Sequence, residues 1–226
     1  MIPVVMGWSG GKDSCVALYE LQRSGDYEVA GLMTTVTRDY DRISMHGVRR
    51  SLLARQARSL GLPLHEVFIP AGASNADYEA AMAEALVEIR AQGVETMAFV
   101  DLYLEDIRAY RDRMMAENGM DAVYPVWGRD THAFIGDFVA AGFKAVIVCV
   151  DLAQLDASFA GRVIDAELLA DLPPGIDPCG ENGEFHTFVY DGPNFAQAVG
   201  ITIGERVLRA GFCFCDLEPA AGPHAG

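Results

Sequence analysis

Met6-Gly7-Trp8-Ser9-Gly10-Gly11-Lys12-Asp13-Ser14 decides how this chain is read. The apolar run Ile2–Trp8 precedes it as a strand, and Lys12–Arg23 follows with helical spacing. Adjacent glycines let the backbone come close to a ligand, and the first free N–H groups of the helix point outward at its positive dipole end. Lys12 adds a mobile positive charge, and Ser9 and Ser14 add hydroxyls. This is anion-binding chemistry between a strand and a helix, the context that gives such a loop meaning. It is not a Walker A loop, because Met6 stands where that pattern has glycine and Asp13 where it has Ser or Thr. A tight turn whose glycines serve only packing is the bland alternative. Two glycines, a lysine and two serines together weigh against it.

Outward from the loop, strands and helices alternate. Tyr27–Val36, Leu64–Ile69, Thr96–Leu102 and Ala122–Tyr124 read as further strands. Helical spacing covers Gly47–Leu60, a segment to about Gln92 opened by Ser74 and Asp77 as a capping box, and Leu104–Asn118. Repeated strand–helix units imply a parallel sheet covered on both faces. After Tyr124-Pro125 the pattern changes to a helix near Thr131–Ala141 and a strand Ala145–Val150. Asp171–Gly183 then reads as a long ordered loop, and Phe185–Tyr190, Ile201–Val207 and Ala210–Asp216 as strands of antiparallel potential. Two domains are expected, 1–124 for a nucleotide and 125–218 for a substrate, with a disordered tail at 219–226.

Bulk properties bound the function. The 226 residues are 51% hydrophobic and 22% charged, ordinary for a globular protein. No apolar run is long enough for a bilayer, and the N-terminus lacks a signal peptide's basic and apolar regions. Five scattered cysteines form no CxxC pair, so neither a disulfide framework nor a structural zinc site is indicated, and a cytoplasmic setting fits best. The net charge of −15 disfavours nucleic acid. The densest basic stretch, Arg49, Arg50, Arg55 and Arg58, reads as the solvated face of an amphipathic helix.

A second motif, Cys179-Gly180-Glu181-Asn182-Gly183-Glu184-Phe185-His186-Thr187, lies at the entrance to a strand. Its glycines permit a bend that aims Glu181 and Glu184 at one point, where they would hold Mg²⁺, bind an amine or position ammonia. A solvent-exposed polar turn is the bland reading. His46, Arg38 and Asp39 share the loop after the second strand, within reach of a nucleotide. A turn histidine and a solvated ion pair are the plain alternatives. Cys179 as a nucleophile has no neighbouring base in sequence, and Cys213 and Cys215 read as core.

Ser9–Ser14 resembles the PP-loop of ATP pyrophosphatases, in the adenine nucleotide alpha hydrolase-like superfamily. With Gly180–Thr187 in this order and at this separation, the chain resembles the diphthamide synthase family from about Ile2 to Asp216. Asp101–Arg108, Tyr124-Pro125-Val126-Trp127 and Gly142-Phe143-Lys144-Ala145 also look like it. The family usually has Gly-Asp ending the fourth strand, where this chain has Val100-Asp101. The resemblance implies an α/β PP-loop domain of parallel strand order 3-2-1-4-5 with a smaller α+β C-terminal domain. It also implies a diphthine–ammonia ligase-like activity: ATP adenylates a carboxylate and ammonia displaces AMP. In that reading Ser9, Gly10, Gly11, Lys12, Asp13 and Ser14 bind the phosphates, with Lys12 also catalytic. Arg38 and His46 touch the nucleotide, and Asp13 and Asp101 hold Mg²⁺. Glu181, Glu184 and His186 face the acceptor or ammonia. The acceptor is a carboxylate on a protein such as elongation factor 2, or on a small molecule. A homodimer is compatible with this reading. A sulfur-transferring tRNA modifier and a nucleotide sensor without chemistry are the rival readings.

Overall fold

The computed structural model describes residues 1–44 and 46–220. The tail expected to be disordered falls largely at 221–226, outside the described residues. The chain divides into two compact units. Met1–Ser9, Asp13–Ser44 and Gly61–Arg129 form the first, and Gly10–Lys12, Met45–Leu60 and Asp130–Gly226 the second.

In the first unit, β1 (Ile2–Gly7) leads into α1 (Lys12–Ser24), then β2 (Tyr27–Thr37) and a two-residue β3 (Arg42–Ile43). After α2 (Arg50–Leu60), which belongs to the second unit, come β4 (Leu64–Ile69), α3 (Asn75–Ala91), β5 (Thr96–Ala98), α4 (Glu105–Glu117) and β6 (Asp121–Val123). The parallel strands run β4-β2-β1-β5-β6, which is the expected order of third, second, first, fourth and fifth. Sequence spacing gave no sign of β3, which pairs antiparallel with the end of β2. Ser74 caps α3, accepting from Asp77 N–H while the Asp77 carboxylate accepts from Ser74 N–H. One face of the sheet is closed by Met82, Leu86 and Ile89 of α3 and Met114 and Met115 of α4, packed with Val5, Met33, Met97 and Phe99. Burying each such side chain contributes about 1.5–3 kcal/mol.

The second unit adds α5 (Thr131–Ala140), β7 (Lys144–Asp151), α6 (Ala166–Asp171), β8 (Phe185–Asp191), β9 (Ile201–Arg209) and β10 (Phe212–Pro219). Its sheet is antiparallel in the order β8-β7-β10-β9. β7 is interior and buried along Ala145–Val150, which explains its continuous apolar run. Ala210 and Gly211, at φ 50° and 85°, make the tight turn between β9 and β10. Residues 172–184 hold no helix or strand, as expected; the short α6 before them, capped by Asp165 accepting from Leu168 N–H, was not anticipated.

Helix α2 corrects one expectation. Its arginine face is only partly solvated. Arg49, just before the helix, makes a two-pronged ion pair with Asp216 at 3.1 and 2.6 Å, and Arg55 donates to the Ala220 carbonyl at 3.0 Å. Arg58 is exposed.

Candidate active site

The phosphate loop is braced from within and from β8. Ser9 N–H donates to Ser14 Oγ at 3.2 Å, and the two hydroxyls lie 2.9 Å apart. Gly10 sits at φ 77°, a conformation that glycine adopts at little cost. Its carbonyl accepts from Val189 N–H at 2.9 Å and from Gln56 Nε2 at 3.0 Å. A Cβ at this position would lie 2.5 Å from Leu53 Cδ1 and 2.8 Å from Gln56 Oε1. Glycine is required here twice over, by conformation and by space.

Lys12 is 3% exposed, with Nζ 5.8 Å from the centre of the Phe185 ring. Its backbone N–H donates to Thr187 Oγ1 at 3.1 Å. The first amide of the helix is therefore engaged by the second motif. Gly10–Lys12 and the Gly180–Thr187 motif stand in the same unit.

His46 and His186 are brought together, with ring centroids 4.5 Å apart and planes tilted by 33°. Burial, then the neighbouring His186, lowers the His46 pKa to about 3; burial, then Lys12, lowers that of His186 to about 4. Both rings are neutral at neutral pH. Neither adds a charge beside Lys12.

The acidic loop bends as its glycines suggest, with Gly180 at φ 69° and Gly183 at 85°. Glu184 turns inward and is 1% exposed. Its carboxylate accepts from Asp177 N–H at 3.0 Å, Asn182 N–H at 2.9 Å and Asn182 Nδ2 at 3.1 Å. These bonds hold the loop closed. Glu181 is half-buried. Cys179 is buried and its thiol donates to the Thr131 carbonyl at 3.3 Å, a core cysteine in its setting.

Residues 2–122 match the diphthamide synthase N-terminal domain, and residues 130–221 match the diphthamide synthase C-terminal domain. The chain belongs to the diphthamide synthase family. Among its relatives, the diphthine–ammonia ligase of Schizosaccharomyces pombe is 24% identical over 94% of this chain and 38% of its own length. That of Danio rerio is 25% identical over 92% of this chain and 90% of its own. The chain thus spans about two fifths of the first relative and nine tenths of the second. Solved structures are also similar to this chain, two of them as follows. The predicted subunit of tRNA methyltransferase from Methanocaldococcus jannaschii has a TM-score of 0.40 at 15% identity, covering 69% of this chain and 81% of its own. The U34-tRNA thiolase NcsA from Methanococcus maripaludis has a TM-score of 0.39 at 12% identity, covering 62% and 57%.

For a diphthamide synthase family member with Val100 before it, Asp101 is held in an unexpected way. Its carboxylate accepts from Arg111 Nε at 2.6 Å and Nη2 at 3.2 Å, with 12% of the side chain exposed. Arg111 in turn lies over the Phe99 ring at 4.6 Å. A carboxylate already neutralised by a two-pronged guanidinium does not fit as a Mg²⁺ ligand. Among the described residues no group of three His, Cys, Asp or Glu stands together to hold a metal. Asp101 is thus corrected as an expected Mg²⁺ ligand. Arg38 is exposed, with its guanidinium 6.0 Å from the Phe68 ring, and Asp39 accepts from Ala71 N–H at 2.7 Å. Both residues stand at the start of the loop after β2, and neither contact assigns it a ligand.

Gln56 and Thr187 hold the phosphate loop by hydrogen bonds that the sequence did not announce. Thr187 lies in the second motif, and nothing in the spacing of that motif points to Lys12. Gln56 falls among Leu52, Leu53, Ala57 and Leu60 at helical spacing. A polar residue in the apolar phase of a helix is the signal that would have found it.

Proposed function

We propose that this chain is an ATP-dependent ligase that adenylates a carboxylate and transfers ammonia to it, releasing AMP and pyrophosphate. The observation that carries this reading is the bond from Lys12 N–H to Thr187 Oγ1, which ties the phosphate loop to the second motif. The names of the relatives support it, as ligases that join ammonia to diphthine.

In this reading Ser9, Gly10, Gly11, Lys12, Asp13 and Ser14 hold the β and γ phosphates. An acceptor carboxylate oxygen attacks the α phosphorus, and the bond to pyrophosphate breaks. Charge on the departing pyrophosphate is stabilised by the Lys12 ammonium, on a loop that β8 holds in place. Ammonia then attacks the acyl carbon, the bond to AMP breaks, and the nitrogen gives up a proton. His186 and His46 line the approach as neutral hydrogen-bonding groups. Glu181 receives the amine or the acceptor, and Glu184 holds the loop that presents Glu181. Mg²⁺ carried by ATP would offset part of the phosphate charge.

The acceptor is a carboxylate of the diphthine kind on a protein, or a comparable carboxylate on a small molecule, and the setting is the cytoplasm. No helix among the described residues is long and apolar enough to cross a membrane. The test is to incubate the chain with ATP, ammonium and diphthine-bearing elongation factor 2. Formation of the amide with stoichiometric AMP supports the reading. AMP formation without amide, on this and on small carboxylates, counts against it.

A further inference from the structure

Gln56 is a primary amide at 0% exposure on a helix whose other buried residues are Leu52, Leu53, Ala57, Ser59 and Leu60. Burying an amide is costly unless its hydrogen bonds are made. Nε2 donates to the Gly10 carbonyl at 3.0 Å and to the Val189 carbonyl at 2.7 Å. Val189 N–H also donates to the Gly10 carbonyl, at 2.9 Å. The side chain therefore bridges the phosphate loop and β8, and the carbonyl of Gly10 is held by two donors at once.

Peptide planarity turns this into a statement about the ligand face. The Gly10 carbonyl and the Gly11 N–H belong to one trans peptide plane and point in opposite directions. Holding the carbonyl against Gln56 and Val189 fixes the Gly11 N–H to face away from both. Gly10 has the wide conformational freedom of glycine, so without this hold the peptide would turn easily.

We propose that Gln56 is a positioning residue for polyphosphate: it sets the Gly10–Gly11 peptide so that the loop meets a pyrophosphate group already oriented. The proposal rests on the ATP reading above and deepens it by naming what aligns the loop.

The test uses inorganic pyrophosphate, ATP and AMP as ligands in titration calorimetry, with the melting temperature of each ligand-free protein measured alongside. Gln56→Met keeps length and loses the donor. Gln56→Glu keeps shape and turns an acceptor toward two carbonyls. In both, pyrophosphate and ATP are expected to bind about tenfold more weakly or worse, the scale of one to two lost hydrogen bonds, with AMP affinity unchanged. That split between ligands is one that general loosening of the fold would not give. Unchanged pyrophosphate affinity, an equal loss for all three ligands, or failure of both variants to fold would each overturn the proposal. If the unaltered chain binds neither ATP nor pyrophosphate, the ATP reading falls first and this one with it.

Discussion

The backbone N–H of Lys12 donates to the side-chain oxygen of Thr187 at 3.1 Å, across 175 residues of chain. Lys12 and the motif are thus joined by hydrogen bonding within the second unit.

Thr187→Val keeps the shape and removes the acceptor. The Lys12 amide would then lose its buried partner, at a cost of about 1–3 kcal/mol. Urea unfolding should show a loss in that range together with weaker ATP binding. A variant as stable as the parent, with unchanged ATP affinity, would mean the bond orders nothing.

Gly10→Ala meets both the left-handed backbone and the Leu53 and Gln56 side chains. The conformation costs about 1–2 kcal/mol and the crowding about 1–3 kcal/mol more. Unfolding midpoints should fall accordingly, whereas Gly183→Ala, strained by conformation but with nothing within 4 Å of its Cβ, should cost less.

The His46–His186 pair sets a pH dependence. Unfolded imidazoles take up protons below about 6.5, whereas the folded ones resist until about 4 and about 3. Between these values the unfolded state binds more protons, so stability falls as pH is lowered from about 6.5 towards 4. The slope is up to about 1.4 kcal/mol per pH unit for each group. Stability measured across this window should flatten in the double variant His46→Gln, His186→Asn. An equal slope in the variant would assign the acid sensitivity elsewhere.

Much of this was legible in sequence because its causes are local. The loop, the Ser74–Asp77 cap and the strand–helix alternation each depend on neighbours within a few residues. The approach of His46 to His186 depends on how distant segments pack, whereas the turn of Glu184 towards Asp177 and Asn182 is made within seven residues of chain. Two glycines beside Glu184 announce a bend without saying which way the carboxylate faces. Helix α2 shows the same limit. Its apolar phase was read correctly, but spacing alone cannot tell that Gln56 reaches the Gly10 carbonyl, or that Arg49 meets Asp216.

The two glutamates of the motif should separate by experiment. Glu184→Gln puts an amide N–H₂ against the donors of the loop and should cost about 1–3 kcal/mol of stability. Glu181→Gln should leave stability intact and lower amidation by roughly 10²-fold, the scale of a lost acid or base, with ATP affinity unchanged. Full amidation by Glu181→Gln would remove that residue from the reaction.

The phosphorus products of turnover bear most directly on the reading of Ser9–Ser14 as a pyrophosphate loop. The chain is incubated with ATP, ammonium and an acceptor-bearing, desalted cell extract, with Lys12→Ala as the control, and the products are resolved by ³¹P NMR. AMP and pyrophosphate in equal amounts, absent with Lys12→Ala, are the predicted result. ADP and orthophosphate as the primary products, abolished by the same substitution, would contradict it.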